Sequence, residues 1–283
     1  MKYLKFNFLS TSIITFITFI AFNLLSFTTY AASHQNMATQ INLAGKQRML
    51  TQKMSKEILL ITKGIDADAN MQHLKKTAEL FDQTLTGLFK GDAKLGLVKT
   101  ENATIVEKLE VVKSLWKPFQ KNVNAVLGGD TSSATLEKIV QQNVPLLEKM
   151  NEAVQAYENA SGSKITPELA KTINKAGKQR MLTQKMTKEL LLVANGIAVE
   201  DNKANLAKTV SAFEKALNEL IASTKDKAIL AQLAKVKNLW AEYKPILDKV
   251  DTSTEALNKA TKLNLPLLKE MNKAVHLYAK SAK

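Results

Sequence analysis

Apolar residues recur every three or four positions through most of the chain, which is the spacing of amphipathic helices. The pattern predicts eight helices, over residues 36–64, 67–89, 101–127, 134–158, 167–197, 201–223, 225–249 and 253–280. No stretch shows the alternation of apolar and polar residues typical of a strand, so the predicted fold class is all-α. Short connections between helices of similar length favour up-down-up-down four-helix bundles.

The helical pattern is written twice. "AGKQRMLTQKM" occurs at Ala44–Met54 and again, unchanged, at Ala176–Met186. Further matches follow each copy, ending with "NVPLLEKMNEAVQAY" at Asn143–Tyr157 and "NLPLLKEMNKAVHLY" at Asn264–Tyr278. The offset between the copies shrinks along the chain, which predicts extra loop residues in the first copy near 87–102. The predicted organisation is a first bundle over residues 32–160, a linker over 161–166 and a second bundle over 167–283.

The linker predicts how the two bundles are placed. Gly162 is a typical helix stop, while Thr166 and Pro167 suit the N-cap and the first helical position. In an up-down-up-down bundle the fourth helix ends where the first began, so a short linker can place the second bundle beside the first. The two opening helices would then be parallel, and the chain would form an internal pseudo-dimer. A homodimer that pairs the same faces between two chains is the alternative.

The N-terminal residues resemble an export signal rather than part of the fold. Lysines near the start precede an apolar run over 6–27, and Thr29 and Ala31 stand at suitable positions for cleavage. Residues 1–31 are therefore predicted to be a secretory signal peptide, with an uncleaved N-terminal anchor as the alternative. Either reading predicts a periplasmic location, free or tethered to the membrane.

Composition narrows the possible chemistry. The formal net charge is +14, but export makes nucleic acid an unsuitable partner, so small anions or an acidic membrane surface fit better. The chain has no cysteine and three isolated histidines, and methionine at helical spacing is usually core filler. We predict no metal and no cofactor. No arrangement of residues typical of a catalytic site is recognisable, so we predict that the chain is not an enzyme.

The repeated segment carries one arginine per copy on a face separate from the core stripe. On a helical wheel the core stripe of the first copy comprises Leu43, Gln47, Leu50, Met54, Ile58, Ile61 and Ile65, and that of the second comprises Leu182, Met186, Leu190, Val193 and Ile197. The other face holds Ile41, Ala44, Arg48, Thr51, Gln52 and Ser55, and in the second copy Ile173, Ala176, Arg180, Thr183, Gln184 and Thr187. Gly45 and Gly177 lie at the edges of these faces. A small, polar face of this kind suits close packing of two helices.

Pairing these faces would bring Arg48 and Arg180 into one seam. Two guanidinium groups about 6 Å apart repel by about 3 kcal/mol at an effective dielectric of about 20. An anion between them would replace the repulsion with charge-assisted hydrogen bonds, and the rigid fork of arginine suits a small planar oxyanion. The alternative is that the faces only join the bundles, with each arginine in an ordinary ion pair.

"INLAGKQRMLTQKM" resembles the P-box of the PilJ/NarX-type sensory domain, and "N-x-P-L-L-x-x-M-N-x-A-V-x-x-Y" is similar to the last helix of that family. The resemblance covers both repeats. It implies four-helix bundles that pair through their first helices, with nitrate held at the interface by the P-box arginines. By position, these arginines are Arg48 and Arg180, with Gly45 and Gly177 as backbone neighbours. The other polar residues of the motif complete the expected ligand-binding set: Lys46, Gln52, Lys178 and Gln184.

The resemblance implies an exported sensor of a small oxyanion such as nitrate or nitrite. Because the last predicted helix ends near Lys283, we expect a sensory protein without its own output domain. It would then pass its ligand state to a membrane-bound sensor kinase or chemotaxis transducer. The alternative is a structural or interaction module that pairs with PilJ-type domains of transmembrane transducers and binds no small ligand.

Overall fold

The structure is a computed structural model that describes residues 9–162 and 164–282, with side chains from Gln35 onward. Within these residues the fold consists of α1 (Leu9–Thr62), α2 (Ala67–Lys90), α3 (Ala103–Leu127), α4 (Ser133–Asn159), α5 (Pro167–Ala194), α6 (Val199–Ser223), α7 (Lys227–Asp248) and α8 (Thr254–Lys280). The predicted all-α class is confirmed, and most predicted helix ends agree within a few residues. The first helix begins far earlier than predicted, because no glycine or proline precedes Gly45 to stop it.

The predicted signal peptide, residues 1–31, lies outside the residues whose side chains the structure describes, so it stays a prediction. In the part of the chain that is described, none of the helices combines the length and the apolarity needed to cross a membrane.

Helix ends follow the capping residues that the sequence supplies. The side chains of Ser132 and Thr166 accept hydrogen bonds from backbone N–H groups in the first turns of α4 and α5, and the cap at Thr166 is the one that the sequence predicted. Asp66 also precedes a helix, but it has a φ of 43° and its side chain makes no capping bond. The extra loop of the first copy lies between Lys90 and Ala103, within the predicted region, whereas α6 and α7 are separated by a much shorter connection.

The eight helices form two four-helix bundles, α1–α4 and α5–α8, packed side by side. The most extensive helix–helix contact in the described chain is between α1 and α5, which belong to different bundles. Lys56 of α1 reaches Asn264, which also bonds to Thr187 of α5, whereas Arg48 of α1 reaches Asn174 of α5. Positions further along α1 therefore meet positions further along α5, so the two helices are parallel. The predicted internal pseudo-dimer is confirmed.

One hydrophobic core runs through both bundles. Trp116 and Trp240 are buried at equivalent positions, and each packs against a phenylalanine of the preceding helix with ring centroids 4.3 Å and 4.5 Å apart. Each indole Nε1–H donates to a carboxylate of the same bundle, so neither tryptophan buries an unpaired polar group. The core leaves α1 and α5 as the central pair of helices, which positions the repeated segment in the middle of the molecule.

Candidate functional site

The two copies of the repeated segment face each other in the seam between α1 and α5. Both are almost completely buried, including polar side chains that a single bundle would leave exposed. The small and amide-bearing polar residues buried on this face include Thr51, Gln52, Ser55, Thr183, Gln184 and Thr187. Small residues such as Ala44 and Ala176 let the two backbones approach, and the seam brings one arginine from each bundle to its centre.

Arg48 is 1% exposed and bridges the two bundles. Its Nη1 donates to Oδ1 of Asn151 in its own bundle at 2.7 Å. Its Nη2 donates to Oδ1 of Asn174 in α5 at 2.7 Å and lies 3.4 Å from the backbone oxygen of the same residue. All three contacts are to neutral amide oxygens, so none of them neutralises the guanidinium charge.

Arg180 makes the equivalent contacts in the opposite direction. It is 3% exposed, and its Nη1 donates to Oδ1 of Asn42 in α1 at 2.9 Å and to Oδ1 of Asn272 at 3.4 Å. Its Nη2 donates to the backbone oxygen of Asn42 at 2.9 Å. The Nε–H of each arginine has no hydrogen-bond partner among the described residues. Each bundle thus holds the other's arginine through a matching asparagine, which gives the site a local two-fold symmetry.

Two glycines line the space where the guanidinium groups meet. A Cβ on Gly45 would lie 3.3 Å from Nη2 of Arg48 and 3.6 Å from Nη2 of Arg180. A Cβ on Gly177 would lie at the same two distances from Nη2 of Arg180 and of Arg48, respectively. Both guanidinium groups therefore pack beside each glycine, where the absence of a side chain leaves room for them.

The electrostatics of the site favour an added negative charge. Burial, followed by the positive charge of Arg48, lowers the pKa of Arg180 to about 9. Burial lowers the pKa of Arg48 to about 10, while Glu158 acts in the opposite direction. Within the described part of the chain neither arginine forms a salt bridge, although Glu158 accepts a hydrogen bond from Asn174. Lys46 adds a further positive charge near the arginine pair. Burial, followed by the positive charge of Arg180, lowers the pKa of Lys46.

The other residues predicted for the site lie in different places. Lys46 is half-buried near Arg180, whereas its counterpart Lys178 lies exposed on the surface of α5. Gln52 and Gln184 are fully buried about one helical turn further along, and their Nε2 groups donate to Oδ1 of Asn143 and Asn264 at 2.9 Å. These two glutamines belong to a second polar layer, beside the arginine pair.

The second layer contains two buried lysines that the sequence analysis did not select. Lys56 donates to Oδ1 of Asn264 at 2.8 Å, and Lys188 donates to Oδ1 of Asn143 at 3.1 Å, so each lysine crosses to the other bundle. The asparagines around the arginines were missed as well. Their signal was the repetition itself, because Asn42 and Asn174 precede the two repeated arginines by the same interval.

The family described as "Type IV pili methyl-accepting chemotaxis transducer N-term", or PilJ, matches the chain over residues 30–142 and 167–264. The chain belongs to the PilJ family. Each match contains one arginine of the repeated segment, Arg48 or Arg180, so the two guanidinium groups come from two PilJ segments of one chain. PilJ-type chains are sensory or signal-transduction modules, and the family is not enzymatic.

A curated relative is similar to part of this PilJ chain. The methyl-accepting chemotaxis protein McpN of Pseudomonas aeruginosa is 36% identical to it over 128 residues. The matched region is 42% of this chain and only 23% of the relative. No solved structure matches the chain.

Proposed function

We propose that this PilJ-type chain senses a small oxyanion, nitrate or nitrite, which binds between Arg48 and Arg180. The observation that carries the proposal is the pair of buried guanidinium groups that reach the same space beside Gly45 with only neutral oxygens as partners. Like charges buried together are unfavourable, and an anion in that space would offset the repulsion.

The hydrogen-bonding capacity of the site supports a planar oxyanion. Both arginine Nε–H groups are buried and lack a partner among the described residues. A charge-assisted hydrogen bond from such a donor contributes about 1.5–3 kcal/mol. The amides that hold the arginines through their oxygens also carry N–H groups, which can donate to a bound anion. Donors from two arginines that meet beside the same glycine suit an ion whose oxygens point in several directions.

Binding of the anion would change the packing at the seam between the bundles. Each arginine is fixed by an asparagine of the opposite opening helix, Asn174 or Asn42, so a ligand that draws the guanidinium groups together changes how α1 and α5 pack. Binding would favour one packing of the two helices over another through its differential affinity for them.

We further propose that the chain works in the periplasm and passes its state to a membrane-bound chemotaxis transducer or sensor kinase. The support is the PilJ family match, because PilJ-type domains are extracytoplasmic sensor domains, and the similarity to a methyl-accepting chemotaxis protein. In this reading the paired bundles are the sensory part of a two-protein system.

Calorimetry and thermal unfolding with nitrate, nitrite, sulfate and phosphate test the proposal. A specific ligand at 100 times its Kd stabilises the folded chain by about 2.7 kcal/mol, which is easily seen as a rise in Tm. We expect nitrate or nitrite to give this rise, and Arg48→Ala and Arg180→Ala each to abolish it. Lys178→Ala is the matched control, since it removes an exposed positive charge from the same motif and should leave affinity within about threefold of wild type.

Two outcomes would overturn the proposal. One is unchanged nitrate affinity in both arginine variants, which would place any bound anion elsewhere. The other is no stabilisation of the wild-type chain by any of the four anions, which would favour the interaction module that binds no small ligand.

A further inference from the structure

A cavity of about 210 Å³ lies between the two bundles, and neither P-box arginine lines it. Its walls come from α1 and α4 of the first bundle and from α5 and α6 of the second. The volume is large enough for several waters, or for a molecule of a few heavy atoms, but below the roughly 300–1,000 Å³ of sites for drug-sized ligands. Any specific occupant is therefore small.

Three charged or polar side chains on the cavity wall are more than nine-tenths buried and retain unused hydrogen-bonding capacity. Lys188 is 6% exposed, and its ammonium, which has three N–H donors, makes one hydrogen bond, to Asn143. Glu189 is 2% exposed and receives Lys185 on Oε1, while Oε2 has no partner among the described residues. Ser55 is 2% exposed, and its Oγ likewise lacks a partner in the described part of the chain.

Comparison of the two bundles gives a reason why the Ser55 hydroxyl has no hydrogen-bond partner among the described residues. The equivalent residue in the second bundle, Thr187, shares a hydrogen bond with the hydroxyl of Tyr243. The residue of the first bundle that corresponds to Tyr243 is Phe119, which has no hydroxyl. The first bundle therefore lacks one of the partners that Thr187 has in the second, and the unpaired hydroxyl of Ser55 borders the cavity.

The rest of the wall has a polar part and an apolar part. The polar part comprises Asn143, Lys185, Asn202 and Asn205, and the apolar part comprises Leu59, Ile139, Val140, Val144 and Leu192. A complementary ligand would carry a carboxylate for Lys188 and Ser55, an ammonium for Glu189, and a short aliphatic part for the apolar wall. Burying a carboxylate or an ammonium without a partner is costly. A ligand that carries only one of the two charges would leave Glu189 or Lys188 without its partner and would therefore bind more weakly.

We propose that this cavity binds a free α-amino acid with a small aliphatic side chain, as a second ligand site separate from the arginine pair. Lys188 and Ser55 hold its carboxylate, and Glu189 Oε2 accepts a hydrogen bond from its ammonium. Because the cavity lies at the junction of both bundles, its occupant would contact the same α1–α5 seam as the proposed anion. The proposal does not depend on nitrate binding, and each can fail while the other stands.

Calorimetry with glycine, L-alanine and L-valine on the full chain tests this site, with propionate and propylamine as probes that carry only one charge. We expect at least one of the amino acids to bind with a stoichiometry of one, and each single-charge probe to bind at least tenfold more weakly. Lys188→Met and Glu189→Gln should each weaken amino-acid binding by at least tenfold while leaving any nitrate response unchanged.

The chain supplies matched controls for both substitutions. Lys56 and Glu57 occupy the equivalent positions in the first bundle, are equally buried and do not line the cavity. Lys56→Met and Glu57→Gln should therefore keep amino-acid affinity within about threefold of wild type. Val140→Phe, at a half-buried wall position, fills the cavity without removing a charge and should also abolish binding.

The absence of binding by all three amino acids at millimolar concentration would overturn the proposal, because the cavity would then hold only water. Equal losses in Lys188→Met and Lys56→Met would also contradict it, since the effect would then come from general destabilisation of the seam. Propionate has a carboxylate but no ammonium. If it bound as tightly as L-alanine, Glu189 would have no role in binding the ligand's ammonium.

Discussion

At the scale of single residues, the site depends on the absence of a side chain at Gly45 and Gly177. Each glycine lies in the middle of a helix, where this residue costs about 0.5–1 kcal/mol relative to alanine. Each also borders the point that Nη2 of both arginines reaches, within 3.6 Å of where a Cβ would lie. A local cost in helix stability is thus linked to the place where the two guanidinium groups that would hold the proposed anion come together.

The substitution Gly45→Ala separates the effect of this glycine on helix stability from its effect on anion binding. The added methyl improves the helix but lies 3.3 Å from Nη2 of Arg48, so the side chain must shift by a few tenths of an ångström. We expect the free energy of unfolding without ligand to stay within about 1 kcal/mol of wild type, while nitrate affinity falls at least tenfold. Chemical denaturation and calorimetry on the same sample measure both. Wild-type nitrate affinity in this variant would show that the space beside Gly45 is not the binding site.

At the scale of helices, the seam between α1 and α5 buries charge that each bundle alone would expose. Burial lowers the pKa of Lys56 and of Lys188 to about 8, although Glu57 and Glu189 next to them act in the opposite direction. In an unfolded chain a lysine keeps its proton to a pKa of about 10.4. Between these two values the unfolded chain binds more protons than the folded one, so the free energy of unfolding must rise with pH.

This rise is a testable property of the seam. Between pH 8 and 9 each buried lysine should add about 1 kcal/mol to the free energy of unfolding. Lys56→Met should remove about half of the increase and Lys56→Met/Lys188→Met most of it, whereas Lys178→Met, at an exposed position, should remove none. Urea denaturation at a series of pH values measures the slopes. An unchanged slope in the double variant would mean that neither lysine is buried with its charge.

Other titratable groups change the free energy of unfolding mainly outside the interval from pH 8 to 9. The lowered pKa values of Arg180 and Arg48, about 9 and about 10, extend the rise to higher pH. Burial raises the pKa of Tyr157 and of Tyr243 to about 12, which opposes the rise above about pH 10, where the unfolded tyrosines lose their protons. The interval from pH 8 to 9 is therefore the one in which the lysines are best resolved.

The sequence predicts helices and their pairing better than it predicts the contents of the seam. Periodicity identified all eight helices, and the duplicated face of Arg48 and Arg180 predicted that α1 and α5 pair. Periodicity could not predict that Lys56 and Lys188 are buried, because lysine on a helix is normally solvated and only the neighbouring bundle covers these two. Nor could it predict which asparagines reach the arginines, since those contacts come from residues distant in sequence.

At the scale of the whole molecule, one chain supplies what two identical subunits would supply in a homodimer. Fusing the copies lets each half change independently, and the halves have diverged near the site. Lys175 replaces Leu43, Tyr243 replaces Phe119, and Glu158, which approaches Arg48 through Asn174, has Ala279 as its counterpart. An anion between the arginines would therefore sit in an asymmetric field, with the negative charge of Glu158 on the Arg48 side alone.

The central claim is that both arginines of one chain share one small anion. A crystal structure of the full chain grown in nitrate tests it most directly. We predict a single planar ion between Arg48 and Arg180 of the same molecule, beside Gly45 and Gly177, with hydrogen bonds from both guanidinium groups. A structure without an ion in this space under saturating nitrate, or with the ion held between Arg48 residues of two different chains, would contradict the account.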